Sequence, residues 1–213
     1  MSYSKESYFP QFAIRWTRIG AETDSQGVYD EVVRAYAEPH RGHHNLQHIL
    51  ECQSMLDEFE SKFQDSLAAS LAFLFHDVVY DPKRNDNEEK SAMYFISVAQ
   101  KANISEAAVQ PIAELIRLSK PGSKLVTNDQ RYFHDIDCSV LGSGWSRYLE
   151  YAKGIEKEYL TVFSLSEYAR GRADFLSGLL QKERIFETQE FHQLFDTRAR
   201  ENAKREIELL QAV

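Results

Sequence analysis

The chain is poor in the residues that staple, kink or punctuate a small extracellular fold. Its 213 residues include two cysteines, five prolines and nine glycines. Cys52 and Cys138 form no CxxC pair and no disulfide framework, which fits a reducing compartment and leaves both as small core residues. The longest near-continuous apolar run, residues 67–75, is about half of the ~20 residues that a membrane-spanning helix needs. The opening Met-Ser-Tyr-Ser-Lys-Glu carries charge and lacks the apolar centre of a signal peptide. Positive charge is in deficit too: the formal net charge is -8, which offers no general affinity for nucleic acid or anionic membranes. No apolar–polar alternation with turn residues at its ends is found, so strands are not expected. A composition that is 43% hydrophobic and 27% charged is that of a folded globular chain. The expectation is a cytoplasmic, all-α protein: one helical bundle in a single domain.

Helical periodicity and capping residues divide the chain. Phe9, Phe12, Ile14, Trp16 and Ile19 suggest a first helix that ends at Gly20. Asp24 can cap a second, through Val28, Val32, Val33 and Tyr36, with Pro39 as its stop. A long helix through Ile49, Met55, Leu56 and Phe59 follows, then an apolar core helix to Tyr80. Asp81-Pro82-Lys83-Arg84-Asn85 reads as a loop, and Asp86 to Glu89 has capping-box spacing for a helix to about Ala102. Ser105 opens a helix that ends at Ser119-Lys120-Pro121-Gly122. A box at Thr127–Gln130 starts one that stops near Gly142. Ser143 or Gly144 begins a segment with Trp145, Tyr148, Tyr151, Ile155 and Tyr159 on one stripe, which reads as core packing. Ser164–Glu167 is a further box, and Thr188 opens the last helix, to about Leu210. No repeat or long linker interrupts the chain, so one domain over residues 1–213 is expected.

The chemistry-bearing residues fall at the ends of these segments. A helix apolar on every side is a buried helix, so the adjacent His76 and Asp77 stand at the inner end of a core element. A carboxylate there is costly unless it is hydrogen-bonded, paired or bound to a cation. Four of the seven histidines, His40, His43, His44 and His48, lie upstream, and the acidic pair Asp135 and Asp137 lies downstream. His44 and His48, four apart, share a face if both are helical. Asn45 stands where the zinc-protease HExxH signature has glutamate, so that motif is excluded. Imidazoles and carboxylates converging on one interior point suit a borderline divalent ion.

In these four ordered motifs the sequence resembles the HD superfamily of metal-dependent phosphohydrolases, helical proteins whose motif is a histidine, an adjacent His-Asp and a distant aspartate. Within it the chain is similar to a bacterial subfamily of predicted HD phosphohydrolases. The stretches that carry the likeness run from Glu38 to His48, Phe75 to Pro82, Asn87 to Ala92 and Asp135 to Gly142, together with Ala199-Arg200-Glu201-Asn202-Ala203. The resemblance covers the chain from about residue 28 onward: a motif-bearing core of about 28–185 and a C-terminal helix of about 189–211. It implies an HD-type bundle in which His44, His76, Asp77 and Asp137 hold one divalent ion, Mn, Fe, Co, Ni, Mg or Zn. Asp135 competes with Asp137 for the last place and would otherwise cap or support. Arg41, in an Arg-x-x-His spacing, matches an arginine that places its guanidinium on phosphate, a role its planar fork suits; the alternative is a surface arginine in a loop. Glu88 would orient or deprotonate water, although a carboxylate in the first turn of a helix also complements the dipole. His48 would stabilise charge on the substrate, bind a second ion or pack against the core; Lys83 and Arg84 would meet a phosphate, although a solvated loop is the favoured reading for both.

The implied activity is hydrolysis of a phosphomonoester or phosphoanhydride, a nucleotide among the candidates, by water activated at the ion. No Gly-Tyr-Pro motif of the cyclic-dinucleotide phosphodiesterases occurs. The alternative is a regulator that keeps the metal and nucleotide site without turnover. A structural metal is a third reading, against which the mixed His/Asp set and the absence of cysteine ligands count. The sequence sets no oligomeric state.

Overall fold

The computed structural model describes residues 3–211. Ten α-helices carry the chain and no strand forms among the described residues: the protein is all-α, 72% helical. They are α1 Lys5–Arg18, α2 Ser25–Tyr36, α3 Leu46–Phe59, α4 Ser66–Phe75, α5 Asn87–Lys101, α6 Glu106–Leu118, α7 Asn128–Asp137, α8 Trp145–Tyr159, α9 Leu165–Gln181 and α10 Gln189–Leu210. The chain gathers into two compact units. The first takes residues 3–38 and 44–133 of the described chain; the second takes 39–43 and 134–211.

The first unit is organised around α4. Every residue of α4 from Ala68 to Phe75 is buried, and the helix packs against α1, α3, α5 and α6. Asp65 caps its start by accepting from the Ala68 amide, which stops the apolar run from fraying. Inside the bundle, Gln53 and Ser70 satisfy one another: the Ser70 hydroxyl donates to Gln53 Oε1 and Gln53 Nε2 donates to the Ser70 carbonyl. α1 ends beside Gly20, whose φ of +92° makes the turn that only glycine adopts without strain.

In the second unit α10 packs on α8, on α9 and on the 3-10 turn Cys138–Gly142. Gly142 lies against Phe195, where an added Cβ would come within 2.5 Å of the phenylalanine side chain. Buried Asn202 donates from Nδ2 to the carbonyls of Leu141 and Ser143, fixing the turn to α10. The unit's interior includes a buried ion pair. Arg172 donates to both carboxylate oxygens of Glu206 at 2.8 and 3.1 Å, Tyr148 donates its hydroxyl to Glu206, and Arg172 donates to the Tyr151 oxygen. The stripe Tyr148–Tyr151 therefore carries polar contacts as well as packing.

Most of the expected caps form. Gln130 and Thr127 bond reciprocally at the start of α7, and Ser164 and Glu167 do so at α9. Two differences stand out. The box expected at Asp86 does not form, because the Asp86 carboxylate takes the Arg84 guanidinium at 2.6–2.7 Å while Glu89 pairs with Arg117. The core helix also stops at Phe75 rather than running to Tyr80, for reasons that lie at the site.

Candidate metal centre

The end of α4 is held by residues from two other helices. Tyr36, at the end of α2, donates its hydroxyl to the Leu74 carbonyl and accepts the Asp77 amide. On α5, Ser91 accepts the Val79 amide and donates to the Val79 carbonyl. One turn earlier Asn87 accepts the Asp81 amide and donates to the Asp81 carbonyl. The backbone at 77, 79 and 81 thus spends hydrogen bonds on side chains, which ends the helix and turns His76 and Asp77 into a fixed corner. Asn87 and Ser91 are four apart on one face of α5, the sequence signal for this clamp.

His76 is 2% exposed, with its ring set edge-on to Phe73 and Phe133, which stack on each other at 4.2 Å. Its Nδ1 lies 2.9 Å from the Phe73 carbonyl. A carbonyl only accepts, so Nδ1 carries a proton and Nε2 is the nitrogen left for other work. That Nε2 lies 2.9 Å from Asp77 Oδ2 and 3.4 Å from His48 Nε2, and His48 Nε2 lies 3.9 Å from the same carboxylate oxygen. His48 and His76 each offer a ring nitrogen as a ligand atom beside that carboxylate. An imidazole lone pair facing a carboxylate is repelled unless a proton or a metal ion stands between them. The donor set is the mixed nitrogen–oxygen kind that borderline divalent ions accept, and the group can hold such an ion.

The histidine that enters this group from the 40–48 stretch is His48. Asn45 caps α3 by accepting the amides of Gln47 and His48, so the helix begins at Leu46 and His44 lies before it. The two histidines therefore do not share a helical face. His44 instead stacks on Tyr80, with ring centroids 4.1 Å apart, and its ring is 6.4 Å from that of His48. Cys52, one turn after His48, is buried with its sulfur 3.8 Å from His48 Nδ1.

Asp135 is occupied elsewhere. It is fully buried and accepts the amides of Glu187 and Thr188 and the Thr188 hydroxyl, at 2.7–2.8 Å. It pins the entry to α10. Arg41 is 4% exposed, a buried cation and not the surface arginine of a loop. Glu88 sits half-buried in the first turn of α5. Lys83 is exposed, with its amide on Asp81, and Arg84 is spent on Asp86. Tyr36, Asn87 and Ser91 were not foreseen as site residues, and Glu158, fully buried on α8, was not foreseen either. No helix of the described chain is long and apolar enough to cross a membrane. Comparison of the chain with family models, curated proteins and solved structures finds no match.

Proposed function

We propose that the protein is a metal-dependent phosphohydrolase of the HD superfamily, working in the cytoplasm on a small phosphate ester or anhydride such as a nucleotide. The observation that carries the proposal is the close approach of His48, His76 and Asp77 at the end of α4, to which the resemblance adds Asp137 as a further ligand. A divalent ion held there supplies Lewis acidity toward a phosphoryl oxygen and toward water. The chain's own groups do the rest. Phe73 fixes His76 in the tautomer whose Nε2 is a ligand, and Tyr36 and Ser91 hold the corner that presents Asp77. Arg41 neutralises phosphate charge as it develops. Glu88 takes the proton from the attacking water, and His44 takes the place beside the ligands that His48 was expected to fill.

The test is phosphate release from a panel of phosphate esters and nucleotides, with Mn, Co, Ni, Mg or Zn supplied in turn and Asp77→Ala as control. Release that depends on the ion and vanishes in the control supports the hydrolase. Binding of an ion and of a nucleotide with no release under any ion overturns it in favour of a regulator.

A further inference from the structure

Residues 39–43 carry Arg41, and within the second unit their backbone is gripped by one face of α8. Glu158 is fully buried in the last turn of α8, and its Oε1 accepts the amides of both Gly42 and His43 at 2.7 Å. Lys157 donates from Nζ to the Arg41 carbonyl at 3.1 Å. Gly154, one turn earlier, touches Gly42 directly: a Cβ on Gly42 would come within 2.2 Å of the Gly154 carbonyl oxygen. At Tyr151 the His43 ring stands edge-on at 4.7 Å. Three consecutive residues, 41 to 43, are therefore fixed by four positions of one helix.

Stability alone does not favour this choice of residue. A carboxylate in the last turn of a helix opposes the helix dipole, and burying it costs more again. Two amides converging on one oxygen offset that cost and turn successive N–H groups of the loop toward a single point, away from other conformations. A local rule broken at a buried position marks a functional site more often than a stabilising one. We infer that Glu158 is a positioning residue: it sets the backbone that carries Arg41 and thereby prepares the guanidinium for a phosphate group. The inference rests on the phosphate-binding role proposed above for Arg41. Glu158 acts through Arg41 and touches no substrate.

Calorimetric titration of inorganic phosphate into the full-length protein with Mn present tests this, using Glu158→Ala, Glu158→Asp, Glu158→Gln, Arg41→Ala and the Glu158→Ala/Arg41→Ala double variant. Glu158→Ala weakens phosphate about tenfold, and Glu158→Asp, too short to reach both amides, does so in part. Glu158→Gln keeps an acceptor oxygen at the same reach and recovers most of the loss. The double variant is no weaker than Arg41→Ala, because the two residues act in series. Manganese affinity stays that of the wild type throughout, a readout that general loosening of the fold would move. Losses that multiply in the double variant, unchanged binding in both Glu158→Ala and Glu158→Asp, or no phosphate binding by the wild type overturn the inference. Should Glu158→Ala not fold, Glu158→Asp carries the comparison. Phosphate binding with this pattern but no ester hydrolysis fails the hydrolase and leaves Glu158 in its role.

Discussion

Arg172 and Glu206 in the second unit are buried, as are His48 and His76 in the first, yet the two clusters are built differently. Around Glu206 donors and acceptors match: Arg172 and Tyr148 fill its oxygens, Arg172 also serves Tyr151, and the charges cancel. Burial, and then the charge of Glu206, holds the Tyr148 phenol far above its ordinary value, so it remains a donor. Around His76 the contacts are of another kind: its Nε2 lies 2.9 Å from the Asp77 carboxylate and 3.4 Å from Nε2 of His48, which is 3.9 Å from the same oxygen. A closed network is a piece of core, whereas the His76 cluster is the one proposed above to take an ion.

The largest effect should come from breaking the closed network. Arg172→Ala leaves Glu206 buried without its partner and is expected to cost about 3–5 kcal/mol in urea denaturation, with Arg172→Met less harmful than alanine. The His76 cluster should respond to a ligand instead. Zn or Mn at a hundred times its dissociation constant should stabilise the wild type by about 2.7 kcal/mol, and His76→Ala should abolish that gain. Thermal melts with and without the ion decide it; an equal gain in His76→Ala places the ion elsewhere.

Asp135 and Asp137 carry the same contrast onto one helix. Asp135→Asn puts an amide donor against the Glu187 and Thr188 N–H groups that the carboxylate now accepts, at a cost of about 1–3 kcal/mol. Its ion affinity should be kept. Asp137→Asn should do the reverse, with stability kept and ion affinity lost. Two variants failing in the same assay would remove the distinction between pin and ligand.

What was legible in the sequence was what neighbours along the chain decide. The apolar run into His76, the boxes at Thr127 and Ser164 and the stop at Gly20 all rest on contacts within a few residues. The false box at Asp86 failed on equally local grounds, since Arg84 two residues earlier competes for the carboxylate. The end of α4 was out of reach because Tyr36 and Ser91, both distant in sequence, take the backbone groups that would have continued the helix. For the site, periodicity brought His76, Asp77 and the pair Asp135 and Asp137 into view, and the choice of Asp137 came from the resemblance. Periodicity could not say whether α3 starts before or after His44.

That boundary gives the smallest and most discriminating prediction. Asn45 at the cap makes His48 the first helical histidine and leaves His44 stacked on Tyr80. Removing a ligand should cost at least as much as removing a ligand's support, so His48→Ala should weaken ion binding about 100-fold or more. His44→Ala should change it by no more than about 0.5 kcal/mol, the scale of a side chain outside the group. Asn45→Ala tests the cause. It should lower stability by about 1 kcal/mol through the lost cap and loosen the first turn of α3, so ion affinity should fall with it. If instead His44→Ala and His48→Ala lose the ion equally, the stack on Tyr80 is broken when the ion binds, and both histidines belong to the ion site.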